Sequence, residues 1–557
     1  MNGKHSTTAK AEKLPNAKKL EYQWKHIDWK KAEYEVNRLQ TRIAKATLNQ
    51  NWNAVKRLQY LLTHSYYAKL LAVRKVTTNK GKRTSGVDKQ LWTTSASKMT
   101  AVLTLTDKKY KSKPLRRTYI DKKGKKKKRP LGIPCMYDRA MQALYALALE
   151  PVAETTADTH SFGFRRERSC KDACKYVFAR LSRKCSAEWI LEGDIKGCFD
   201  HISHDWLIEN IPMDKSILKQ FLKSGFVFKE KLFPTEEGTP QGGIISPILA
   251  NMALDGIQKM LSEKYDFGIN GKYSNYCHSK SKVNFVRYAD DFIVTASTKE
   301  IAEEVKELIR AFLSKRGLEL SEEKTLITNI NEGFDLLGWN FKKHKGKLII
   351  RPAKKSVKSF TEKLSDTILN KGKSLEQSVL IESLNQQIRG WTNYHQSVCA
   401  STTFRQMDYV LYQLLWRWAK RRHPKKGSRW IYKKYWLSQE NCKSIFQSDK
   451  NVLHKPSHTP IIRHTQLELD KNPFFHQEYF TDRKFQRGMK HLSGKFKTIW
   501  KKQNGRCILC DMPIDIAEER DIVGTSINSD KSKWTSDEIS YVHHKCLVWF
   551  NECRPKG

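Results

Sequence analysis

The spacing of apolar residues changes along the chain and separates helical regions from a mixed one. Over residues 22 to 76, apolar side chains recur three and four positions apart, which predicts two or three amphipathic helices. Residues 138 to 154 are dense in Ala, Leu and Met and predict a largely buried helix. Short apolar runs typical of β-strands follow at residues 189–191, 226–233, 285–288, 292–295 and 348–350. Helical patterns lie among these runs (301–315) and after them (353–423), so the sequence predicts a mixed α+β protein.

The charge of the chain indicates a polyanionic partner. The 557 residues carry a net charge of +45 at pH 7, and 13 of the 23 residues from 107 to 129 are Lys or Arg. Such an excess attracts phosphate backbones through counterion release. A basic protein of the membrane surface is the alternative. No run of about 18 apolar residues is present, so the sequence predicts that nothing spans a bilayer.

The cysteine content and the first residues bear on the compartment. Twelve cysteines in 557 residues are too sparse for a disulfide scaffold, and the start of the chain, MNGKHSTTAK, has no apolar signal core. We therefore expect an intracellular protein, in the bacterial cytoplasm with the nucleoid or a ribonucleoprotein. An organellar location stays open.

Two adjacent aspartates lie between two apolar, strand-like halves. Asp290 and Asp291 would form the tip of a buried hairpin, where two like charges are costly unless a cation compensates them. A solvated Asp-Asp turn is the alternative, and the apolar flanks argue against it. Asp194 follows a second short apolar strand. Carboxylate oxygens on adjacent strands suit Mg²⁺, and the combination predicts two-metal phosphoryl transfer.

Several motifs in a fixed order carry a resemblance to reverse transcriptases. They are Arg129-Pro-Leu-Gly-Ile-Pro134, Ser161-Phe-Gly-Phe-Arg165, Gly238-Thr-Pro-Gln-Gly-Gly243, Ser246-Pro247, Tyr288-Ala-Asp-Asp291, Leu320-Ser-Glu-Glu-Lys324 and Leu337-Gly-Trp339. Within that superfamily the chain resembles the proteins encoded by bacterial group II introns. The helical N-terminal extension supports this likeness, and so do Gln387-Ile-Arg-Gly-Trp-Thr-Asn-Tyr-His395 and Leu415-Trp-Arg-Trp418, which are similar to the RNA-splicing maturase domain.

The resemblance implies a right-hand polymerase with added domains. The expected division is a disordered basic arm (1–22), a helical N-terminal extension (23–106), and the fingers and palm of the polymerase (107–352). An α-helical thumb or maturase domain (353–430), a basic DNA-binding region (431–494) and a small zinc-bound domain (495–557) would follow.

The family also implies roles for single residues. Asp194, Asp290 and Asp291 would be catalytic and hold two Mg²⁺ ions, with the backbone of Ile195 as a further ligand. Residues that match substrate-binding positions are Lys122 and Arg129 for the triphosphate, Phe199 for rejection of a 2′-hydroxyl, Gln241 for the nascent base pair and Lys324 for the primer. Lys123-Gly124-Lys125 predicts a hairpin turn in the basic segment. The register of Lys122 is open by one residue, because this basic hairpin contains an extra Lys.

The maturase-like helices combine cations with aromatic residues. The cations are Lys354, Lys355, Lys358, Arg389, Arg417, Lys420, Arg421 and Arg422. Phosphate contacts together with stacking on unpaired bases would bind RNA. Tryptophans in a core and cations that merely solubilise are the alternative, and we expect a mixture in which most Trp are buried and Arg421 and Arg422 are exposed.

The C-terminal region holds two ligand pairs with the spacing of a zinc site. Four soft or imidazole ligands suit tetrahedral Zn²⁺ in a closed structural site. The expected ligands are Cys507, Cys510, His543 and Cys546. His543 fits the paired spacing better than His544, and Cys553 is a less favoured substitute.

The position of this cluster resembles the endonuclease domain of the H-N-H type. The sequence departs from that pattern, because residues 511 to 542 contain no histidine; the expected pair would fall near Val523 and Gly524, and the usual Asn near Glu538. Without a general base and a metal ligand, hydrolysis should fail. We therefore expect a degenerate domain that binds zinc and DNA without cleaving it. Basic residues just before it match a DNA-binding region; they are Arg463, Arg483, Lys484, Arg487 and Lys490.

Taken together, the residues and the resemblance predict an RNA-directed DNA polymerase of a group II intron. It would bind the intron RNA as a splicing maturase and copy it into DNA during retrohoming, with dNTPs, target DNA and a primer as further partners. A maturase that only splices is one alternative. A domesticated reverse transcriptase in repair or phage defence is another, since it would share every motif. The source of the primer and the oligomeric state stay open.

Overall fold

Five helices form the start of the described chain. The computed structural model describes residues 16–121, 128–240, 242–265, 281–439, 442–516, 520–524, 537–544 and 546–548. The first helices are α1 Ala17–Lys25, α2 Trp29–Leu48, α3 Trp52–His64, α4 Tyr66–Thr78 and α5 Ser95–Thr104. The side chains of Asn16, Asp28 and Asn51 cap the first three by accepting backbone N–H bonds. The predicted amphipathic helices of this region are thereby confirmed.

The structure corrects the extent of the predicted disordered arm. Helix α1 begins at Ala17, inside the segment 1–22, and Leu20 and Trp24 of α1 are buried. Their burial against α5 supplies the apolar contact that makes this polar, Lys-rich stretch helical. Residues 1–15 lie outside the described residues.

The region from 115 to 352 is mixed, as predicted. Its elements are β1 Leu115–Asp121, β2 Lys128–Ile133, α6 Met136–Thr156, α7 Cys170–Leu181, β3 Trp189–Asp194, α8 Cys198–His201, α9 His204–Asn210, α10 Lys215–Leu222, β4 Phe226–Phe228, β5 Lys231–Phe233, α11 Ser246–Leu254, α12 Ile257–Tyr265, β6 Asn284–Tyr288, β7 Asp291–Ala296, α13 Lys299–Ser314, β8 Leu326–Asn329, β9 Phe334–Leu336, β10 Trp339–His344 and β11 Lys347–Pro352. Helix α6 is the buried helix expected at 138 to 154, and α2, α3 and α4 pack around it.

A four-stranded sheet of order β2-β1-β4-β5 carries much of the basic segment. Strands β1 and β2 pair antiparallel, as the predicted hairpin requires, and its turn at 122–127 lies outside the described residues. The run 226–233 is two strands rather than one. Lys229 and Glu230 have φ of 48° and 66° and turn the chain back between β4 and β5.

The central sheet has the order β6-β7-β3-β8, with antiparallel pairing throughout. Both of its faces are covered. Leu191 and Val294 point into the core shared with α6 and α13, whereas Ile190 and Ile293 point into a second core that contains residues of α7. Burial on both faces explains why these strands read as continuous apolar runs rather than alternating ones.

A helical region follows a small sheet of order β11-β10-β9. Its helices are α14 Lys354–Ser365, α15 Gln377–His395, α16 Ser401–Arg422 and α17 Ser428–Tyr435, with a π-helical turn at Asp366–Lys371; the hairpin β12 Trp436–Gln439 and β13 Cys442–Phe446 comes next. These elements share one apolar core. The boundary expected at residue 430 falls inside α17 and is therefore wrong; Ile431 and Tyr435 of that helix are buried in this core.

Helix α18 Gln477–His491 links the C-terminal part to the rest of the protein, and Lys30 of α2 pairs with Asp511 at 3.1 Å. The elements of the C-terminal part are α18, α19 Gly494–Lys502, β14 Arg520–Gly524 and β15 Ile539–His543. Phe480 on the first half of α18 lies in the core beside the central sheet, whereas Phe485 and Met489 on its second half pack against the core of the cysteine-rich module. Helix α18 therefore belongs to two cores at once.

Among the helices that the structure describes, none combines the length and the apolar composition that a bilayer crossing requires.

Candidate active site and metal-binding cluster

Three aspartates meet at one end of the central sheet. Strands β3 and β7 pair so that Asp194 lies directly opposite Asp291, and Asp290 occupies the tight turn between β6 and β7. We call residues 288–291 the Asp-Asp turn. The pairing joins residues almost one hundred positions apart in sequence, so the predicted convergence of the three carboxylates is observed.

The electrostatics of the three carboxylates fit a bound cation. Partial removal from water, and then the charges of Asp290 and Asp194, raise the pKa of Asp291 to about 6. The ammonium of Lys324 contacts the carboxylate of Asp194 and opposes that rise. Hard oxygen donors that repel one another are the donor set that Mg²⁺ takes in phosphoryl-transfer sites.

The backbone of Ile195 is available beside these carboxylates. Ile195 forms an isolated antiparallel bridge with Leu320, and the two hydrogen bonds of that bridge use the carbonyls of Asp194 and Glu319. Since Ile195 is the non-bonded member of the bridge, its own carbonyl is not used by this pairing. Its proposed role as a ligand stays a prediction.

Phe199 lies on the short helix α8, five residues after Asp194. It is half-buried, and the ring of Phe164 meets it edge to face with centroids 6.2 Å apart. The carbonyl of Phe199 accepts a hydrogen bond from the N–H of Thr239, at 2.6 Å. Gly238 has a φ of 80°, and a Cβ there would collide with the backbone of Asp200, so this position requires glycine.

Three expected substrate contacts cannot be placed. Lys122, Gln241 and the side chain of Arg129 lie outside the described residues. The backbone next to Gln241 is described: a Cβ on Gly242 would lie 3.0 Å from the carbonyl of Gly132 in β2. The described neighbours therefore contact helix α8 at Gly238 and strand β2 at Gly242, and the contacts of Lys122, Gln241 and Arg129 stay predictions.

Replacing Phe199 by valine tests its assignment. We expect incorporation of ribonucleotides relative to deoxynucleotides to rise at least about 10-fold, since removing a bulky ring makes room for a 2′-hydroxyl. Single-nucleotide extension with matched rNTP and dNTP measures the ratio. Phe233→Val, in strand β5, is the matched control. An unchanged ratio with normal dNTP use would show that Phe199 has no part in this selection.

The C-terminal ligands come together as a buried cluster. We call Cys507, Cys510, His543 and Cys546 the Cys3His cluster; one ligand atom from each lies within 4.8 Å of the others. His543 Nδ1 is 3.3 Å from Cys510 Sγ and 3.8 Å from Cys546 Sγ, while its Nε2 is 3.2 Å from the carbonyl of Pro513. Such a carbonyl fixes the ring so that Nδ1 faces the thiols. Hydrogen bonds from the other two thiols lower the pKa of Cys507.

The structure corrects the expected DNA contacts before this cluster. Arg483 is 5% exposed and pairs with the buried carboxylate of Asp172 on α7, which His464 also contacts at 2.8 Å. Ion pairs within the chain likewise hold other cations of this region; they are Lys484 with Glu167 and Arg487 with Asp515. Lys490 donates to Thr465 Oγ1 at 2.7 Å. Arg483, Lys484 and Arg487 therefore join parts of the protein, whereas Lys490 and Arg463 are exposed.

The helical region presents its cations to solvent. All eight basic residues singled out from the sequence of this region are exposed; they are Lys354, Lys355, Lys358, Arg389, Arg417, Lys420, Arg421 and Arg422. Trp418 is 2% exposed, and the guanidinium of Arg422 lies 4.7 Å from the centre of its ring. We call these eight residues the basic helical surface. The expected exposure of Arg421 and Arg422 is observed, whereas the expectation that most Trp are buried is wrong for this set: Trp418 is buried, but Trp391 and Trp416 are half-buried.

Comparisons with known proteins agree with this geometry. Residues 120–341 match the family described as reverse transcriptase (RNA-dependent DNA polymerase), residues 24–105 match the N-terminal domain of reverse transcriptase, and residues 357–436 match the group II intron, maturase-specific domain. The group II intron-encoded protein LtrA of Lactococcus lactis subsp. cremoris is 31% identical, over 64% of this chain and 72% of its own. Protein YkfC of Escherichia coli K12 is 31% identical, over 54% of this chain and 87% of its own.

The chain therefore belongs to the family of group II intron-encoded reverse transcriptase and maturase proteins. Its enzymatic activity is that of an RNA-directed DNA polymerase.

The sequence did not indicate two side chains that bear on the site. Lys324, through its contact with Asp194, is one of them, since the family resemblance predicts only a primer-binding role for Lys324. Arg287, which precedes the Asp-Asp turn, is fully buried. An arginine inside an otherwise apolar strand was the available signal for Arg287.

Proposed function

We propose that the three carboxylates hold two Mg²⁺ ions and that the protein extends a DNA primer along an RNA template. The observation that carries this proposal is the pairing of β3 with β7, which sets Asp194 opposite Asp291 and beside Asp290. When bound, the two ions would activate the primer 3′-hydroxyl and neutralise the departing pyrophosphate. The sheet β2-β1-β4-β5 would act as fingers, the central sheet as palm and helices α14 to α16 as thumb.

Residues around the carboxylates would select and orient the substrate. Phe199 would exclude a 2′-hydroxyl, and Lys324 would hold the carboxylate of Asp194 until a metal ion takes over its charge. Arg129 and Lys122 would bind the triphosphate, because a planar guanidinium and an ammonium suit phosphate oxygens. Gln241 would pack against the nascent base pair.

The basic helical surface would bind the group II intron RNA and support its splicing. Eight exposed cations on neighbouring helices, with aromatic rings among them, suit phosphate contacts and base stacking. The protein would then copy the intron into DNA during retrohoming, as part of a mobile element.

The Cys3His cluster would hold a structural Zn²⁺ ion. Three thiols and an imidazole, all buried, are the donor set of closed zinc sites. The module around it would bind DNA without cutting it, since residues 511 to 542 provide no histidine as base or ligand.

Primer extension on an RNA template tests the polymerase assignment. We expect the purified protein to incorporate dNTPs on poly(rA)/oligo(dT) in Mg²⁺, and the RNA that copurifies from its host to contain a group II intron. Intron RNA without dNTP incorporation would favour a maturase that only splices. Incorporation with a gene outside any intron would favour a domesticated enzyme.

The C-terminal module should have no nuclease activity. We expect supercoiled and linear target DNA to stay intact on the second strand when it is incubated with the protein and Mg²⁺ or Zn²⁺, because a base to activate water is missing. Gel analysis of end-labelled DNA measures this. A nick that disappears in His543→Ala would overturn the assignment of a degenerate nuclease.

A further inference from the structure

A fully buried arginine lies immediately before the Asp-Asp turn. Arg287 on β6 is 0% exposed, three residues ahead of Asp290. Strand β6 is the edge of the central sheet, and Arg287 forms a bridge there with Ser161: its N–H donates to the carbonyl of His160 at 3.0 Å, and its carbonyl accepts from Phe162 at 2.9 Å. The segment around Ser161 thus covers the free edge of β6 beside the turn.

The guanidinium of Arg287 reaches the turn itself. Nη1 donates to the carbonyl of Ala289 at 3.3 Å and to Oδ1 of Asn251 at 3.0 Å, and Nη2 contacts the carboxylate of Asp255. Its planar fork therefore joins the Asp-Asp turn to helix α11 and to the residue after it. A charged side chain in the interior is costly, and it is stabilised there by being paired and hydrogen-bonded in this way.

Asn251 connects the same fork to the other side of the turn. Its Nδ2 donates to the carbonyl of Gly163 at 2.8 Å. Gly163 lies so close to the turn that a Cβ on it would collide with the amide nitrogen of Ala289 and would lie 2.8 Å from the carbonyl carbon of Tyr288. The backbone of Gly163 is therefore packed directly on the turn, and Asn251 fixes its position.

The turn has a conformation that needs such support. Ala289 has a φ of 58°, in the left-handed region that side chains other than glycine rarely adopt. Strained backbone of this kind persists only when the surroundings determine it. Arg287 bonds to the carbonyl of Ala289, and Gly163 packs on its nitrogen, so both ends of the strained residue are held.

Asp255 anchors the other end of the arginine. Burial raises the pKa of Asp255 to about 7, and the charge of Arg287 opposes that rise. The carboxylate of Asp255 also accepts from the N–H of Asp158 at 3.3 Å, and Asp158 in turn accepts from the N–H groups of Gly256 and Gln258. Arg287 is thus attached to the segment between α11 and α12, which these hydrogen bonds hold in place.

We propose that Arg287 and Asn251 are positioning residues that hold the Asp-Asp turn in the one conformation in which Asp290 and Asp291 bind a divalent ion. Both side chains are buried, so neither is expected to touch substrate. Their effect on catalysis passes through Ala289 and Gly163 to the carboxylates, so they set the affinity of the site for its metal ion. This inference rests on the proposed function of the three carboxylates.

Arg287→Lys is the first test. Lysine keeps the positive charge beside Asp255 but lacks the fork, so it cannot contact Ala289, Asn251 and Asp255 together. We expect the Mg²⁺ concentration for half-maximal primer extension to rise about 10-fold, in the range for residues that orient metal ligands. Binding of Mn²⁺ to the primer-template complex, followed by electron paramagnetic resonance, should weaken by a similar factor.

Hydrogen exchange measures how firmly the backbone of the Asp-Asp turn is held, and it requires neither a metal ion nor enzymatic activity. In the metal-free protein, the peptide covering residues 288–292 should exchange faster in Arg287→Lys, while peptides of α16 and α18 should not change. Asn251→Ala should give the same local increase and a smaller shift in Mg²⁺ dependence, since it leaves the bond from Arg287 to Ala289 in place. If Arg287→Lys does not fold, Asn251→Ala alone tests whether these side chains hold the Asp-Asp turn.

Thr295→Val is the matched control. Thr295 is a buried polar residue on the same hairpin; its Oγ1 donates to the carbonyl of Lys282 at 2.7 Å and accepts from the N–H of Asn284 at 3.1 Å, far from the turn. We expect it to lower the melting temperature without changing Mg²⁺ dependence. The proposal would be overturned if Arg287→Lys and Asn251→Ala kept the Mg²⁺ dependence and the local hydrogen exchange of the wild type. It would also be overturned if Thr295→Val changed the Mg²⁺ dependence by as much as Arg287→Lys does.

A different result would contradict the proposed function of the three carboxylates. Mg²⁺-dependent extension that survives in Asp290→Ala would remove the carboxylates from the metal site. Local exchange at residues 288–292 would still report whether Arg287 and Asn251 hold the turn.

Discussion

Asp290→Ala is expected to abolish DNA synthesis while RNA binding is retained. Asp290 lies in the turn between β6 and β7, beside Asp194 and Asp291, and alanine offers no oxygen to a metal ion. The loss in extension rate should exceed about 100-fold, the upper end of the effects caused by residues that only support metal ligands. Primer extension in Mg²⁺ measures the rate, and filter binding measures the affinity for RNA.

RNA binding should not weaken in this variant. The basic helical surface is formed by other helices, and removing one negative charge makes a chain of net charge +45 slightly more basic. Asp205→Ala, an exposed aspartate on α9, is the matched control and should extend primers normally. Asp290→Ala with extension within a few-fold of the wild type would exclude Asp290 as a metal ligand.

Loss of zinc should unfold the C-terminal module. We expect Cys546→Ser to contain less than one zinc ion per chain and to become sensitive to trypsin after about residue 494. The Cys3His cluster lies at the centre of that small core, and structural zinc contributes about 10–16 kcal/mol of apparent binding free energy in zinc-finger peptides. Elemental analysis and limited proteolysis measure the two effects.

The same loss should occur on acidification. Thiolates and a neutral imidazole bind the ion, so protons compete with it, and the zinc content should fall as pH falls. Cys399→Ser, an exposed cysteine, is the matched control and should keep both zinc and resistance to trypsin. A wild-type chain free of zinc, with a C-terminal region as resistant as that of the control, would contradict the zinc assignment.

Elements with a strong local pattern could be predicted from the sequence. Strands β3, β6 and β7 are continuous apolar runs because both faces of the central sheet are buried, and the aspartates at their ends stand out against them. The spacing of the four zinc-type ligands is likewise a local signal, and the structure brings all four together.

Elements that depend on distant partners could not be predicted. Strand β10 carries Lys342 and Lys343 in a pattern that reads as polar, yet Lys343 is 7% exposed because Ser186 and the carbonyl of Arg183 accept its bonds. In the sequence Arg483 is one basic residue among many, and its partner Asp172 is 311 positions away. Charge alone does not show whether a cation will meet nucleic acid or a carboxylate of its own chain.

Helix α18 makes the cysteine-rich module difficult to discard. Its second half is covered by that module: Trp500 packs on Gly488 and donates to the carbonyl of Phe485 at 3.0 Å, while its first half is fixed beside α7 through Arg483. Deleting the chain from residue 494 onward would expose Phe485 and Met489 to solvent, because Arg483 keeps helix α18 anchored beside α7. The cysteine-rich module therefore shields apolar surface of a helix that is anchored in the polymerase, a role that requires no nuclease chemistry.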